Sequence, residues 1–107
     1  MAATPTPTYS SMRSDLRHQE SKTDIALAEF SSLANSPPAQ HDTVVENRLM
    51  ELFAQRRETI DAMARLLESD PLGGSARVHH VARAREVLSE HEKEFRRMRV
   101  CLNLRTS

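Results

Sequence analysis

The stretch "LMELFAQRRETIDAMARLLESDP", residues 49–71, decides the fold. Wound at about 100° per residue, it gathers Leu49, Leu52, Ile60, Met63 and Leu67 on one face and sets Arg56 near the middle of that face. A single helix with one apolar stripe is not stable alone in water, so this one needs neighbours. Arg56 has two readings. It is a working group aimed at a phosphate or carboxylate, or a long stem packed in a bundle. Burying the charge unpaired costs several kcal/mol, which favours a stem lying along Phe53 or Ile60 with its head at the rim. Glu92 and Glu20 are candidate partners. The other possibility is a polar layer that fixes helix register.

The neighbours follow on either side. Thr43 and Glu46 match a capping box, so the second helix is expected over about residues 44–68, and "SDPLGG" (69–74) reads as a turn. Ser75 can cap a third helix over about 75–103, where Val81, Ala84, Val87, Leu88, His91, Phe95, Met98 and Leu102 share one arc. On the N-terminal side, "NSPPAQHD" (35–42) stops a first helix over about 10–34, because Pro37 and Pro38 lack amide donors. That helix carries a weaker stripe of Met12, Leu16, Thr23, Ala26, Leu27, Phe30, Leu33 and Ala34, with Gln19 beside it. The Thr-Pro alternation before it has no apolar period and reads as a tail over residues 1–9.

Short connections favour antiparallel neighbours. The expected architecture is all-α, an up-down-up three-helix bundle with a left-handed wrap, filling about residues 10–104 and leaving 105–107 outside. Phe30, Leu49, Phe53, Ile60, Met63, Leu88, Phe95 and Met98 form the expected core. Composition agrees: two Gly, one Tyr, no Trp and three Phe among 107 residues starve a sheet of filling. Fifteen basic and fifteen acidic side chains cancel, so no global field draws the chain to nucleic acid or anionic lipid. The single cysteine, Cys101, cannot form an internal disulfide, which fits a reducing compartment. No stretch approaches the 18 or so apolar residues needed to span a bilayer.

Chemical machinery is hard to find. His79 and His80 point about 100° apart on a helix and lack a ligand at i+3 or i+4, so no metal site is expected. His91 lies inside the apolar arc and reads as a core histidine with one hydrogen bond. The Gly73-Gly74 pair lacks the flanking pattern of a phosphate loop. Asp61 with Arg65, and Glu92 with Arg96, read as ordinary i,i+4 pairs. No cofactor and no catalytic residue is expected. "EFRRMRVC" (94–101) is the basis of an alternative, a small helical nucleic-acid-binding module. Its arginines fall in the last turns of a helix, where cations offset the macrodipole, and balanced charge with few aromatics argues against it.

The strings "QRRETIDAM", "LLESDP" and "RAREVLSEHEKEFRRMR", with "MRSDLRHQE" and the pattern of Asp24, Leu27, Phe30, Ser31 and Leu33, resemble one family. It is the Golgi SNAP receptor complex member one family of Qb-SNAREs, particularly its fungal members. Gln55, Arg56, Ile60, Asp61, Arg83, Glu86, Val87, Leu88, His91, Phe95, Arg96 and Arg99 carry the strongest correspondences.

The resemblance implies an N-terminal three-helix Habc domain, followed in the family by a linker, a SNARE motif and a membrane anchor. A chain ending at Ser107 is then expected to be an excised Habc domain with the start of a linker. The implied role is recruitment or regulation in ER-to-Golgi and intra-Golgi transport, at the cytosolic face of the Golgi membrane. The implied partners are Golgi tethering complexes and, through the SNARE motif, a syntaxin-type Qa-SNARE, a Qc-SNARE and an R-SNARE. No nucleic acid is implied, and the fragment is expected to be a monomer. Ile25, opposite the first helix's stripe, and the exposed Arg83 and Arg97 are the candidate partner contacts. Arg56, His91 and Glu92 are the candidates for a structural polar core.

Overall fold

In a computed structural model, residues 6–34, 43–70 and 74–106 are described, and the side chains of 34 and 104–106 are left aside. The expected loop at 35–42, the first five residues of the tail and residues 71–73 of the 69–74 turn lie outside them. Three α-helices account for nearly all of the rest: α1 (Tyr9–Ala34), α2 (Thr43–Ser69) and α3 (Ser75–Thr106). There is no strand among the described residues, and the fold is the expected all-α three-helix bundle.

Cross-helix contacts give the directions. Gln19 meets Thr59 and Glu29 meets Arg48, so α1 and α2 run antiparallel. Arg99 meets Glu46 and Arg85 meets Asp61, so α2 and α3 do too. Phe30 meets Phe95 and Asp24 meets His91, which sets α1 and α3 parallel. The order is up-down-up.

One boundary differs in kind. Tyr9, counted with the tail in the sequence reading, is the first residue of α1 and is buried. The cause is local and tertiary together. Ser11 N donates to Thr8 Oγ1 at 3.1 Å and Thr8 N donates to Ser11 Oγ at 3.0 Å, a reciprocal cap in which serine fills the place of the usual Glu or Gln. Arg77 of α3 then covers the Tyr9 ring, 4.6 Å from its centroid. At the other end, α3 runs to Thr106 rather than about 103, into the stretch assigned to a linker.

The core is built on the predicted faces. Phe30, Leu49 and Ile60 are fully shielded from solvent, and Phe53, Met63, Leu88 and Phe95 are buried with them. Met98 is only partly buried and packs against the edge of this cluster. The chain's three phenylalanines, one per helix, meet in a single layer. Phe95 stands 5.3 Å from Phe30 at an interplanar angle of 67° and 5.6 Å from Phe53 at 53°. Edge-to-face pairs of this kind add about 0.5–1.5 kcal/mol beyond area burial.

Gly74, just before α3, adopts φ +82°, a backbone region that L side chains avoid. This explains the glycine in the 69–74 turn.

Candidate functional site

One turn along α2 from the aromatic layer, the bundle interior becomes polar. Arg56 follows Phe53 by three residues and precedes Ile60 by four, so helical spacing places its stem in the core seam. Its head does not reach the rim. The side chain is 0% exposed, contrary to the reading of a stem with its charge in water.

His91, one turn before Phe95 on α3, meets it: Arg56 Nη1 is 2.7 Å from His91 Nδ1. The far ring nitrogen, Nε2, lies 3.3 Å from Asp24 Oδ1 on α1. Glu20, one turn earlier on α1, faces Arg56 Nη2 at 3.8 Å, a charge contact too long for a hydrogen bond. Among the described residues Arg56 Nε and Nη2 find no hydrogen-bond acceptor.

Burial therefore lowers the Arg56 pKa from its usual value, while the carboxylates of Glu20, Asp24 and Glu92 pull it back up. The guanidinium stays charged at neutral pH, as arginine does in proteins. Beside it, Gln19 Nε2 donates to Thr59 Oγ1 at 3.1 Å, and Thr59 and the fully buried Thr23 each donate to a carbonyl one turn back. The layer joins all three helices. Sliding one helix by a turn would part Arg56 from His91 or Glu20 and leave its buried charge without that neighbour, which is costly.

Glu92 has a different partner from the one expected. It accepts from Arg57 Nη2 at 3.0 Å, at the half-exposed edge of the α2–α3 seam, rather than from Arg56 or Arg96. Asp61 likewise takes Arg85 across helices at 2.9 Å in place of Arg65. Asp24 and Thr59 are members of the layer that sequence reasoning missed. Their only signal is spacing: Asp24 follows Glu20 by four and Thr59 follows Arg56 by three, which sets Thr59 half-buried beside the layer and Asp24 at its largely exposed outer end.

The partner-contact candidates fall in separate places. Ile25 is 60% exposed and lines a groove of about 300 Å³ between α1 and α2, with Lys22, Glu29, Arg48 and Glu51 at its rim. Arg83 lines a second groove, between α1 and α3. Arg97 is exposed on α3, about 21 Å further along the helix from Arg83. The structure does not bring these three together.

The Arg56 guanidinium is sealed from solvent, while the carboxylates of Glu20 and Asp24 at the edge of the layer reach water. Among the described residues no group of three or more His, Cys, Asp or Glu could hold a metal ion. Nor is any helix there long and apolar enough to cross a membrane. The arrangement is that of three amphipathic helices packed around a polar layer, with outer faces open to solvent.

No family model matches the chain, and no solved structure matches it either. A curated relative does. Golgi SNAP receptor complex member 1 from Saccharomyces cerevisiae is 23% identical over 96 residues, covering 87% of this chain and 43% of the relative. The chain thus spans less than half the length of the protein it matches. It is distantly related to a Golgi SNARE protein, and its three helices resemble SNARE Habc domains in general fold.

Proposed function

From that distant relationship, we propose that the chain is the N-terminal regulatory and recruitment domain of a Golgi Qb-SNARE. It acts in ER-to-Golgi and intra-Golgi vesicle transport. The observation that carries this is the match along 87% of the chain to a Golgi SNAP receptor complex member, together with a three-helix bundle whose buried polar groups face inward. Such a domain works by binding proteins through its outer faces.

The partners proposed are Golgi tethering complexes for this domain, and Qa-, Qc- and R-SNAREs for a SNARE motif in the whole protein. The place of action is the cytosolic face of the Golgi membrane, to which the whole protein is anchored. Ile25, Arg83 and Arg97 are proposed contacts, each on its own surface, and the domain is a monomer.

Purified subunits of Golgi tethering complexes, passed over the immobilised chain, test the reading. Retention of at least one subunit that survives washing at physiological salt supports it, and retention of none overturns it. Changing Ile25, Arg83 and Arg97 to alanine should weaken that retention; unchanged binding removes these residues from the interface while leaving the domain assignment in place.

A further inference from the structure

The seam between α1 and α3 is the most sparsely packed of the three, and it opens into a groove of about 180 Å³. Its floor is apolar: Leu16, Met63 and Ala84 are all buried there. Its walls carry Arg13 and Arg17 from α1 opposite Arg83, with His80, from α3, so three guanidinium groups rim it.

These charges lack internal partners of any strength. Arg13 and Arg17 make no ion pair among the described residues, and as like charges one turn apart on a helix they repel each other. Arg83 reaches only Glu86 on its own helix at 3.2 Å, a pair about two-thirds exposed on both sides and therefore weak. Glu20 is the one carboxylate in the lining, and it faces the buried Arg56. A chain with balanced totals has thus concentrated uncompensated positive charge around an apolar trough.

We propose that the α1–α3 groove is a docking site for an acidic, amphipathic segment of a protein partner. Carboxylates of the segment would pair with Arg13, Arg17 and Arg83, and an apolar side chain would rest on Leu16 and Met63. This deepens the proposed function, on which it rests, by naming the surface and the chemistry of what it holds. A protein segment fits better than an anionic membrane. The basic groups line a concavity with an apolar floor, which takes side chains, and the chain has no net charge to hold it against a flat anionic surface.

The test uses the isotope-labelled chain and a synthetic helical peptide with leucine at every third or fourth position and glutamate elsewhere. A matched peptide with lysine for glutamate, and vesicles of phosphatidylcholine with phosphatidylserine, serve as comparisons. The acidic peptide should shift amide signals around Arg13, Arg17, Arg83 and Ala84, and the shifts should shrink as salt rises. Arg13→Glu with Arg17→Glu should weaken binding by about tenfold or more, while Lys93→Glu, away from the groove, leaves it unchanged. Arg13→Gln with Arg17→Gln, which removes charge without adding repulsion, gives an intermediate loss and guards against misfolding of the reversed variant. Shifts confined to other seams, equal binding of the basic peptide, or tighter binding to the vesicles would overturn the proposal. If tether subunits still bind the charge-reversed chain, the groove assignment fails and the domain assignment stands. If they never bind but the acidic peptide does, the reverse holds.

Discussion

Arg56 Nη1 stands 2.7 Å from His91 Nδ1, and this one contact selects the tautomer of the neutral ring. A guanidinium has only donors to offer, so in the neutral ring Nδ1 is the bare, accepting nitrogen. The ring hydrogen is then on Nε2, pointing at Asp24 Oδ1 3.3 Å away. Arginine on α2, histidine on α3 and aspartate on α1 form a chain of polar contacts across the bundle.

The neutral His91 ring is accordingly the Nε2–H tautomer, with Nδ1 hydrogen-bonded. Nitrogen chemical shifts of the imidazole at a pH where the ring is neutral measure this directly. Signals of the Nδ1–H form would mean that Arg56 and His91 do not meet in solution.

Arg56 fills core volume as well as carrying charge, and the two contributions separate by substitution. Arg56→Ala leaves a cavity and strands His91, at a cost on the order of 3 kcal/mol, which lowers Tm by more than about 10 °C at this chain length. Arg56→Met keeps the stem volume and removes the desolvated charge, and should stay within about 1.5 kcal/mol of the parent. Combined with His91→Leu in a double-mutant cycle, it should show a coupling of about 0.5–3 kcal/mol. Thermal melts in which Met is as damaging as Ala would show that the charge, not the volume, holds the layer.

Phe95 is the hub of the aromatic layer, touching Phe30 and Phe53 and lying 5.3 Å under the Arg99 guanidinium. Phe95→Leu should cost about 1–2 kcal/mol and Phe95→Ala about 3–5 kcal/mol, read from urea midpoints with unchanged slope. A loss below about 1 kcal/mol for alanine would mean that the three rings are not closely packed.

Gly74 has open space around a would-be Cβ, so any penalty there comes from the backbone alone. Gly74→Ala should destabilise by about 1 kcal/mol because φ +82° is unfavourable for alanine. An unchanged or raised Tm would show that the turn before α3 relaxes into an ordinary conformation.

The exposed pair of Arg85 and Asp61 is held at 2.9 Å, but both side chains are nearly half in water. Asp61→Asn should change stability by less than about 0.5 kcal/mol, and high salt should erase even that.

Much of the fold is written in local spacing. The 3.6-residue recurrence of Leu49, Leu52, Ile60 and Met63, and of Val81, Ala84, Leu88 and Phe95, sets two inner faces without reference to anything distant. Helix periodicity is a property of the backbone, so sequence alone determines which residues turn inward, Arg56 among them. It could not determine where the Arg56 head goes, nor that Glu92 would take Arg57 and Asp61 would take Arg85. Those partners lie on other helices, and their distances depend on how far each helix slides and rotates in the bundle. Tyr9 makes the same point at the chain's start: its Thr-Pro surroundings read as a tail, and only a ring-to-guanidinium contact with Arg77 on a distant helix, beside a serine-based cap, draws it into the structure. The uncompensated charge of the α1–α3 groove was hidden for the same reason, since Arg13 and Arg83 are 70 residues apart in sequence and become one surface only when α1 and α3 lie parallel.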